Sequence, residues 1–290
     1  MYRDILHLVY ASNELGFDEV SVRLQRCVDA DTDFLATLAQ IGTIPEAIPH
    51  DSTEEKIFSK ASDAVLSRAF REIGLKSTVL RARGNSADVM AESPIFGYTL
   101  VADAKAFRLS RTAKNQKDYK VVALSNWRQD TEYAVLCAPY FHYPSQTSQI
   151  YAQALQHNVC LLSWEHLIFF IRHGLKETPQ HNFSSIWNFC DAFSHAVLCS
   201  DMSRCFLDRF DDVLLSATGL ERNELFSVFQ AQISAIIERS KAEKEFWHNE
   251  TEKIKRYSRE QAISELIAEK KIPPKIAQIN RFLRGLQYGQ

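Results

Sequence analysis

A hydrophobic strand that ends in Asp-x-Lys is the feature that most constrains the fold of this chain. The segment 98–103 has the β-branched and aromatic content of a strand, and Lys105 follows two residues after Asp103. Successive side chains of a strand point to opposite faces, so Asp103 and Lys105 share a face and Ala104 points away. The pattern predicts a strand that presents a carboxylate and an ammonium side by side, although a bare Asp-x-Lys is more often a solvated pair.

A second acid, Asp88, precedes this strand in a segment rich in turn-forming residues. It is read either as a turn acid or as a partner of Asp103 in a cation site. Two carboxylates and the backbone carbonyl of Ala104 are ligands that suit Mg²⁺, with Mn²⁺ as a substitute. Such an ion activates water and polarises a phosphate, and Lys105 could orient the nucleophile or neutralise the transition state. The pattern indicates metal-dependent phosphodiester hydrolysis.

Glu55 is the third candidate acid, at the start of a helix predicted over 53–73. The run that begins at Ser52 also reads as a capping box, in which the Glu55 side chain accepts from the Ser52 N–H. One carboxylate rarely serves both purposes, so Glu55 ranks below Asp88 as a catalytic residue. It could still assist a second metal ion or a bound water.

Basic residues are concentrated directly after the Asp-x-Lys strand. The window 101–128 holds seven basic and two acidic residues, a net charge of +5 in a chain of net charge −2. A local basic segment on a mildly acidic body fits a protein that grips a polyanion at one place. Asn115 and Asp118 add groups that can read base edges. For Asp118 an ion pair with Lys114 is an equally good interpretation.

The remaining composition predicts a protein of a reducing compartment, the cytoplasm. The six cysteines form no C-x-x-C pair, and several lie in apolar runs typical of buried positions. The nine histidines lack the spacing of a zinc site. The sequence shows no signal peptide and no run of transmembrane length, so no membrane partner is expected.

Hydrophobic periodicity predicts an α/β (α+β) protein with three regions. Residues 1–50 form an N-terminal helical region, and 51–180 form the catalytic and DNA-recognition core. Within this core, strands are expected near 78–82, 98–103, 133–138 and 158–163, followed by a helix from Trp164. Residues 181–290 form a helical C-terminal region that could mediate dimerisation or embrace DNA, with Pro273 and Pro274 before a terminal helix. One continuous structural unit is expected.

Several of these segments resemble one known protein family. The resemblance is carried by Ser52–Ala61, Arg83-Gly84-Asn85, Asp88-Val89, Leu100–Lys105, Phe107–Asp118, Ser163–Leu167 and Glu238-Arg239-Ser240. Together these motifs are similar to the HindIII family of type II restriction endonucleases, over most of the chain from 44 to about 275. The forty N-terminal residues and the segment from about 180 to 220 match less clearly.

The resemblance implies a PD-(D/E)XK restriction-endonuclease-like mixed sheet core flanked by helices. It carries over Asp88, Asp103 and Lys105 as the motif residues, with Mg²⁺ held by Asp88, Asp103 and Ala104. It also implies a homodimer that cleaves double-stranded DNA at a palindrome, which we expect to be AAGCTT, beside a cognate DNA methyltransferase. The predicted DNA contacts are Arg83, Asn85, Arg108, Ser110, Arg111, Lys114, Asn115, Asp118 and Lys120.

Two other functions stay open on the residues alone. A structure-specific or relaxed nuclease could have the same core, but it needs mainly cations, and the amide and acidic groups of the basic segment count against it. A non-catalytic DNA-binding protein of the same fold should have replaced Asp103 or Lys105. Both residues are present.

Overall fold

The computed structural model describes residues 2–80, 87–111, 116–144, 148–196 and 202–287. The strands are β1 (Lys76–Val79), β2 (Val89–Glu92), β3 (Thr99–Ala104), β4 (Tyr133–Ala138) and β5 (Val159–Ser163). The first helices are α1 (Tyr2–Tyr10), α2 (Ser12–Leu15), α3 (Phe17–Asp29), α4 (Phe34–Ile41) and α5 (Thr53–Glu72). The middle helices are α6 (Gln116–Tyr119), α7 (Val121–Trp127), α8 (Gln149–His157), α9 (Trp164–Arg172), α10 (Ser184–Trp187) and α11 (Phe189–Ala196). The last are α12 (Met202–Thr218), α13 (Arg222–Lys255), α14 (Arg259–Glu269) and α15 (Ile272–Gln287), and a 3₁₀ turn spans Tyr140–His142.

The five strands form one mixed sheet in the order β1-β2-β3-β4-β5. The pairs β1/β2 and β2/β3 are antiparallel, whereas β3/β4 and β4/β5 are parallel. The side chains of β3 and β5 are almost all buried, as is usual for strands that carry helices on both faces. In the β2/β3 register Val89 lies opposite Ala102, so Asp88 and Asp103 are the next residues on neighbouring strands. The sheet therefore brings the two predicted acids together.

Helix α5 covers the antiparallel half of the sheet, and α7 and α8 cover the parallel half. α5 contacts β1, β2 and β3, while α7 and α8 contact β5 and each other. The Ser52 side chain caps α5 by accepting from the backbone N–H of Glu55, and residues 57, 58, 61, 64 and 65 bury the apolar face of the helix. This mixed sheet flanked by helices confirms the predicted α/β architecture.

The core elements agree with the sequence-based predictions except near the first strands. The helix predicted over 53–73 is α5, the strands predicted at 98–103, 133–138 and 158–163 are β3, β4 and β5, and the helix expected from Trp164 is α9. The strand expected near 78–82 is β1 and begins earlier, at Lys76. The prediction missed β2, because its four residues have little strand propensity and depend on pairing with two neighbours.

Chain packing divides the described residues into two compact units, 1–238 and 239–290. The first contains the sheet and the predicted N-terminal helical region, which forms α1 to α4. In the second, α14 and α15 contact each other. Pro273 and Pro274 lie in the first turn of α15, where a missing N–H costs no intrahelical bond, so the predicted terminal helix is confirmed.

Two general expectations can be compared with the described residues. Cysteines 27, 137, 160, 190 and 205 are free thiols, and three of them are buried, as the apolar runs predicted. Within the described ranges no helix is both long enough and apolar enough to cross a membrane.

Gly74 ends α5 in a backbone conformation that only glycine adopts without strain. Its φ is +97°, and a Cβ there would lie 3.0 Å from the Glu177 backbone nitrogen and 3.2 Å from its oxygen. Gly219 also has a positive φ, +70°, but a Cβ there meets nothing within 4 Å. We therefore expect Gly219→Ala to cost about 1–2 kcal/mol of unfolding free energy, and Gly74→Ala clearly more. Urea unfolding of both variants measures the difference, and equal losses would contradict the close approach to Glu177.

Candidate active site

Three aspartates from three elements meet at the end of β3. Asp63 lies on α5, Asp88 directly precedes β2, and Asp103 lies near the end of β3. One carboxylate oxygen of each lies within 4.8 Å of the other two. Asp63 and Asp103 are 3 % exposed, whereas Asp88 is half-buried. Within the described ranges, this is the group of carboxylates placed to hold a metal ion.

Lysine side chains accompany the three carboxylates, which we call the aspartate cluster. Lys105 donates from Nζ to Oδ2 of Asp103, so the two residues share a face as the strand pattern predicted. Lys60, one turn before Asp63 on α5, donates to Asp88 Oδ1 at 2.6 Å and to Asp63 Oδ2 at 3.2 Å. Lys105 thus pairs with the buried Asp103, and Lys60 bridges the other two aspartates.

The charges of the aspartate cluster are incompletely balanced. Burial and, after it, the negative charges of Asp88 and Asp103 raise the pKa of Asp63 to about 8 against the opposing effect of Lys60. Burial also raises the pKa of Asp103, although Lys105 and the more distant Lys120 oppose this. With all three acids ionised, three carboxylates face two lysines, so one negative charge is left in excess. A further cation would relieve that excess.

Hydrogen bonds from three sides fix the backbone that carries Lys105. The Lys105 N–H donates to the Cys137 carbonyl of β4 at 2.7 Å, and its own carbonyl accepts from the Trp164 indole at 2.9 Å. Two residues on, the Phe107 N–H donates to the Gly42 carbonyl at 3.1 Å. A Cβ at Gly42 would lie 2.7 Å from the Trp164 ring, so only glycine allows this approach. The Asp-x-Lys motif is therefore held on a rigid support.

The prediction of site residues omitted Asp63 and Lys60. Both lie on α5, and Asp63 sits among buried positions such as Ala61, Ala64 and Val65. An aspartate inside a helix, on the face that the apolar residues bury, is unfavourable without a partner, and this was a usable signal. The missing information was which face of α5 the sheet covers, because that depends on the tertiary packing.

Glu55 and Arg108 are placed together, away from the aspartate cluster. Arg108 is 4 % exposed, and it donates to the Glu55 carboxylate and, at 2.6 Å, to the Ile48 carbonyl. Glu55 also accepts from the Asp51 N–H at 2.7 Å rather than from Ser52. Glu55 is therefore a partner of Arg108, and the third acid beside Asp88 and Asp103 is Asp63. Arg108 is buried and anchors the start of the basic segment, and its predicted contact with DNA stays a prediction.

The other predicted DNA contacts differ in their hydrogen-bond partners and in their exposure to solvent. Ser110 donates from its backbone N–H and its hydroxyl to Glu46, at 2.9 and 2.8 Å. Asp118 pairs with Arg111. Lys120 is exposed and adopts a left-handed backbone (φ +52°) just before α7. The predicted contacts Arg83, Asn85, Lys114 and Asn115 lie outside the described residues.

The donor set fits a hard divalent cation. Mg²⁺ and Mn²⁺ prefer carboxylate and carbonyl oxygen, and all three acids of the cluster provide carboxylate oxygen. Ala104, the predicted carbonyl ligand, ends β3 between Asp103 and Lys105. The thiols and imidazoles that select softer metals are absent from this group.

An Asp-x-Lys motif on a buried strand, joined by acids from a helix and from the start of a neighbouring strand, is the arrangement of a nuclease of the PD-(D/E)XK type, and its carboxylates could bind a divalent metal ion. The family described as HindIII restriction endonuclease matches residues 9–283. Over 255 residues the chain is 45 % identical to the type II restriction enzyme HindIII of Haemophilus influenzae, covering 88 % of this chain and 85 % of the relative. The chain belongs to the HindIII restriction endonuclease family and is a type II restriction enzyme.

Solved structures of a second restriction endonuclease, FokI, are more distantly similar. The structure of FokI is 16 % identical to this chain with a TM-score of 0.37, and the structure of FokI bound to DNA is 16 % identical with a TM-score of 0.34. They cover 59 % and 57 % of this chain, which in turn spans about one third of the FokI chain.

Replacement of Asp63 by asparagine should stabilise the metal-free protein at high pH. The pKa of Asp63 is about 8 in the folded protein against an ordinary value of 3.8, so between these values only the folded state keeps the proton. Folding stability contributed by Asp63 therefore falls as pH rises through this window. In EDTA, Asp63→Asn should raise the melting temperature by a few degrees at pH 8, and the gain should vanish towards pH 4.

Glu92→Gln is the matched control for this measurement. Glu92 is an exposed acid on β2, and its replacement removes the same charge without touching the aspartate cluster. Its melting temperature should follow the wild type across the pH range. A pH-independent effect of Asp63→Asn would contradict the burial of charge at Asp63.

Proposed function

We propose that this enzyme cuts both strands of DNA at the palindrome AAGCTT, in a reaction that requires Mg²⁺ or Mn²⁺ and leaves 5′-phosphate ends. The observation that carries this proposal is the aspartate cluster, with Lys105 hydrogen-bonded to Asp103 at the end of a buried strand. The specificity follows from the likeness to the HindIII enzyme, since the basic segment that would read the bases belongs to the matched region.

Asp88, Asp103 and the Ala104 carbonyl would hold the ion, with Asp63 as a third carboxylate. When bound, the ion supplies positive charge to the scissile phosphate and lowers the pKa of a nearby water. The protein contributes fixed ligands, because Asp63 comes from a helix, Asp103 from a buried strand and Asp88 from the start of its neighbour. Burial of two of the three acids also limits competition by bulk water.

Lys105 is the residue that we assign to the reacting phosphate. Its ammonium, held beside Asp103, can orient the attacking water and neutralise the charge that develops on the phosphate oxygens. Water attacks phosphorus in line with the bond to the 3′ oxygen. That bond breaks, the 3′ oxygen takes up a proton, and a 5′-phosphate and a 3′-hydroxyl remain.

The DNA backbone would be held by the exposed cations of the basic segment. Lys120 is exposed just before α7, and its charge lowers the pKa of Asp103, which supports a contact between Lys120 and a phosphate next to the site. Arg111, whose side chain is 44 % exposed, pairs with the largely buried Asp118, and its exposure supports a contact with DNA. The proposed contacts Arg83, Asn85, Lys114 and Asn115 remain predictions from the sequence.

A homodimer would supply two active sites for the two strands. The described residues contain one aspartate cluster per chain, and an interface of two-fold symmetry matches a palindrome. In the unit 239–290, Ile272, Ile276, Ile279 and Leu283 form a stripe along α15, and each is 38–59 % exposed. On α14, the apolar positions 263, 266 and 267 are also exposed. So much exposed apolar area on one helical pair is typical of a protein interface, and we assign it to a second copy of this chain.

Mass measurement in solution tests the dimer. Wild-type protein should sediment at twice the chain mass of 33.2 kDa. The double variant Ile276→Glu with Ile279→Glu should shift it towards the monomer, because two charges at the centre of the apolar stripe cannot be buried. Gln278→Glu, exposed on the same helix, should leave the dimer intact. A double variant that stays dimeric at micromolar concentration would place the interface elsewhere.

Digestion of a plasmid of known sequence tests the activity. Wild-type enzyme with Mg²⁺ should give discrete fragments with ends at AAGCTT, and EDTA should abolish them. Asp103→Asn and Lys105→Ala should each lower the cleavage rate at least about 100-fold, because the first weakens a ligand of the ion and the second removes the ammonium from the reacting phosphate. Glu92→Gln should cleave like the wild type. DNA methylated within the site by the cognate methyltransferase should resist cleavage.

Other outcomes separate the alternative functions. Discrete fragments at a different sequence would keep the mechanism and reject the specificity. A smear of products would indicate a relaxed nuclease. Intact DNA that is retarded on a gel would favour a binding protein on the same fold.

The free cysteines agree with action in the bacterial cytoplasm, where host DNA and a methyltransferase would be present.

A further inference from the structure

Lys60 is a second lysine at the aspartate cluster, and the Asp-x-Lys motif does not account for it. Its Nζ lies 2.6 Å from Asp88 Oδ1 and 3.2 Å from Asp63 Oδ2, so one ammonium bridges two acids from different elements. The side chain is 29 % exposed, which gives the ammonium a route towards solvent. Lys105 is committed to Asp103 on the other side of the cluster.

We propose that Lys60 is a positioning residue that acts as the resident counter-cation of the metal-free site and is displaced from the carboxylates when a divalent ion binds. The inference rests on the proposed metal-dependent cleavage. The ammonium holds Asp63 and Asp88 close together, at the spacing that an ion needs. It also uses oxygen atoms that the ion would bind.

Charge and geometry both support displacement. An ammonium and a divalent ion on the same carboxylates repel each other, and this repulsion is strong where the protein excludes water. An oxygen that accepts a 2.6 Å hydrogen bond from Lys60 offers the ion a less available lone pair. Lys60 therefore stabilises the metal-free enzyme and weakens its affinity for the ion.

Titration of the DNA-free enzyme with Mn²⁺ tests this inference without relying on activity. Binding can be followed by the loss of the free Mn²⁺ electron-spin signal. Lys60→Met should bind Mn²⁺ at least threefold more tightly than wild type, and Lys60→Arg should stay within twofold of it. Lys60→Gln keeps a hydrogen-bond donor without the charge, so it should behave like Lys60→Met and serves if the methionine variant does not fold.

Lys56→Met is the matched control. Lys56 lies about one turn earlier on α5 and is exposed, so its replacement changes the net charge equally without touching the carboxylates. Its affinity should equal that of wild type. Thermal unfolding gives a second readout: Lys60→Met should melt lower than wild type in EDTA and gain more from saturating Mn²⁺.

Unchanged or weaker Mn²⁺ binding in both the methionine and the glutamine variant would overturn the inference, since a purely structural lysine would disturb the ligands. Failure of the proposed function gives a different pattern. In that case wild type and Asp103→Asn would bind Mn²⁺ equally poorly. If wild type binds, Asp103→Asn does not, and Lys60→Met equals wild type, the metal site stands and only the role of Lys60 is rejected.

Discussion

The burial of negative charge beside the end of β3 is the constraint around which the rest of the active site is arranged. Asp63 and Asp103 are each 3 % exposed and lie close to Asp88. An unpaired buried carboxylate would cost several kcal/mol, so each acid needs a cation or a proton. Lys60 and Lys105 supply two cations for three carboxylates, so one carboxylate is short of a cation, and burial is the main cause of the raised pKa of Asp63. The same shortage that destabilises the metal-free fold makes the site suited to a divalent ion.

The mixed sheet explains why these acids converge. A parallel partner alone would have placed β4 beside Asp103, where the neighbouring residue is the apolar Leu136. The antiparallel partner β2 instead begins beside the end of β3 and runs back along it, so the residue before β2, Asp88, lies beside Asp103. Helix α5 then covers this antiparallel half and adds Asp63. Three elements of different direction thus each contribute one carboxylate, and none of them has to distort for it.

Features that depend on residues close together in the sequence could be predicted from it, and features that depend on tertiary packing could not. Strand β3, its Asp-x-Lys end and the span of α5 up to Gly74 follow from local periodicity and turn chemistry, and the structure has all of them. Lys105 shares a face with Asp103 for the same local reason. Strand β2 and Asp63 escaped prediction, since β2 depends on its two neighbours and the position of Asp63 depends on which face of α5 meets the sheet.

The basic segment shows why charge in a sequence does not by itself identify a nucleic-acid contact. Arg108 has the same charge as Arg111, yet it is buried against Glu55 and the Ile48 carbonyl, whereas Arg111 is exposed. Such a buried pair is costly to break, so its use is to fix geometry: with the bonds from Ser110 to Glu46, it fastens the chain just after the Asp-x-Lys motif. This anchored stretch lies in the chain between the Asp-x-Lys motif and the exposed cations. It therefore fixes the position of the residues that would bind DNA relative to the residues that would cleave it.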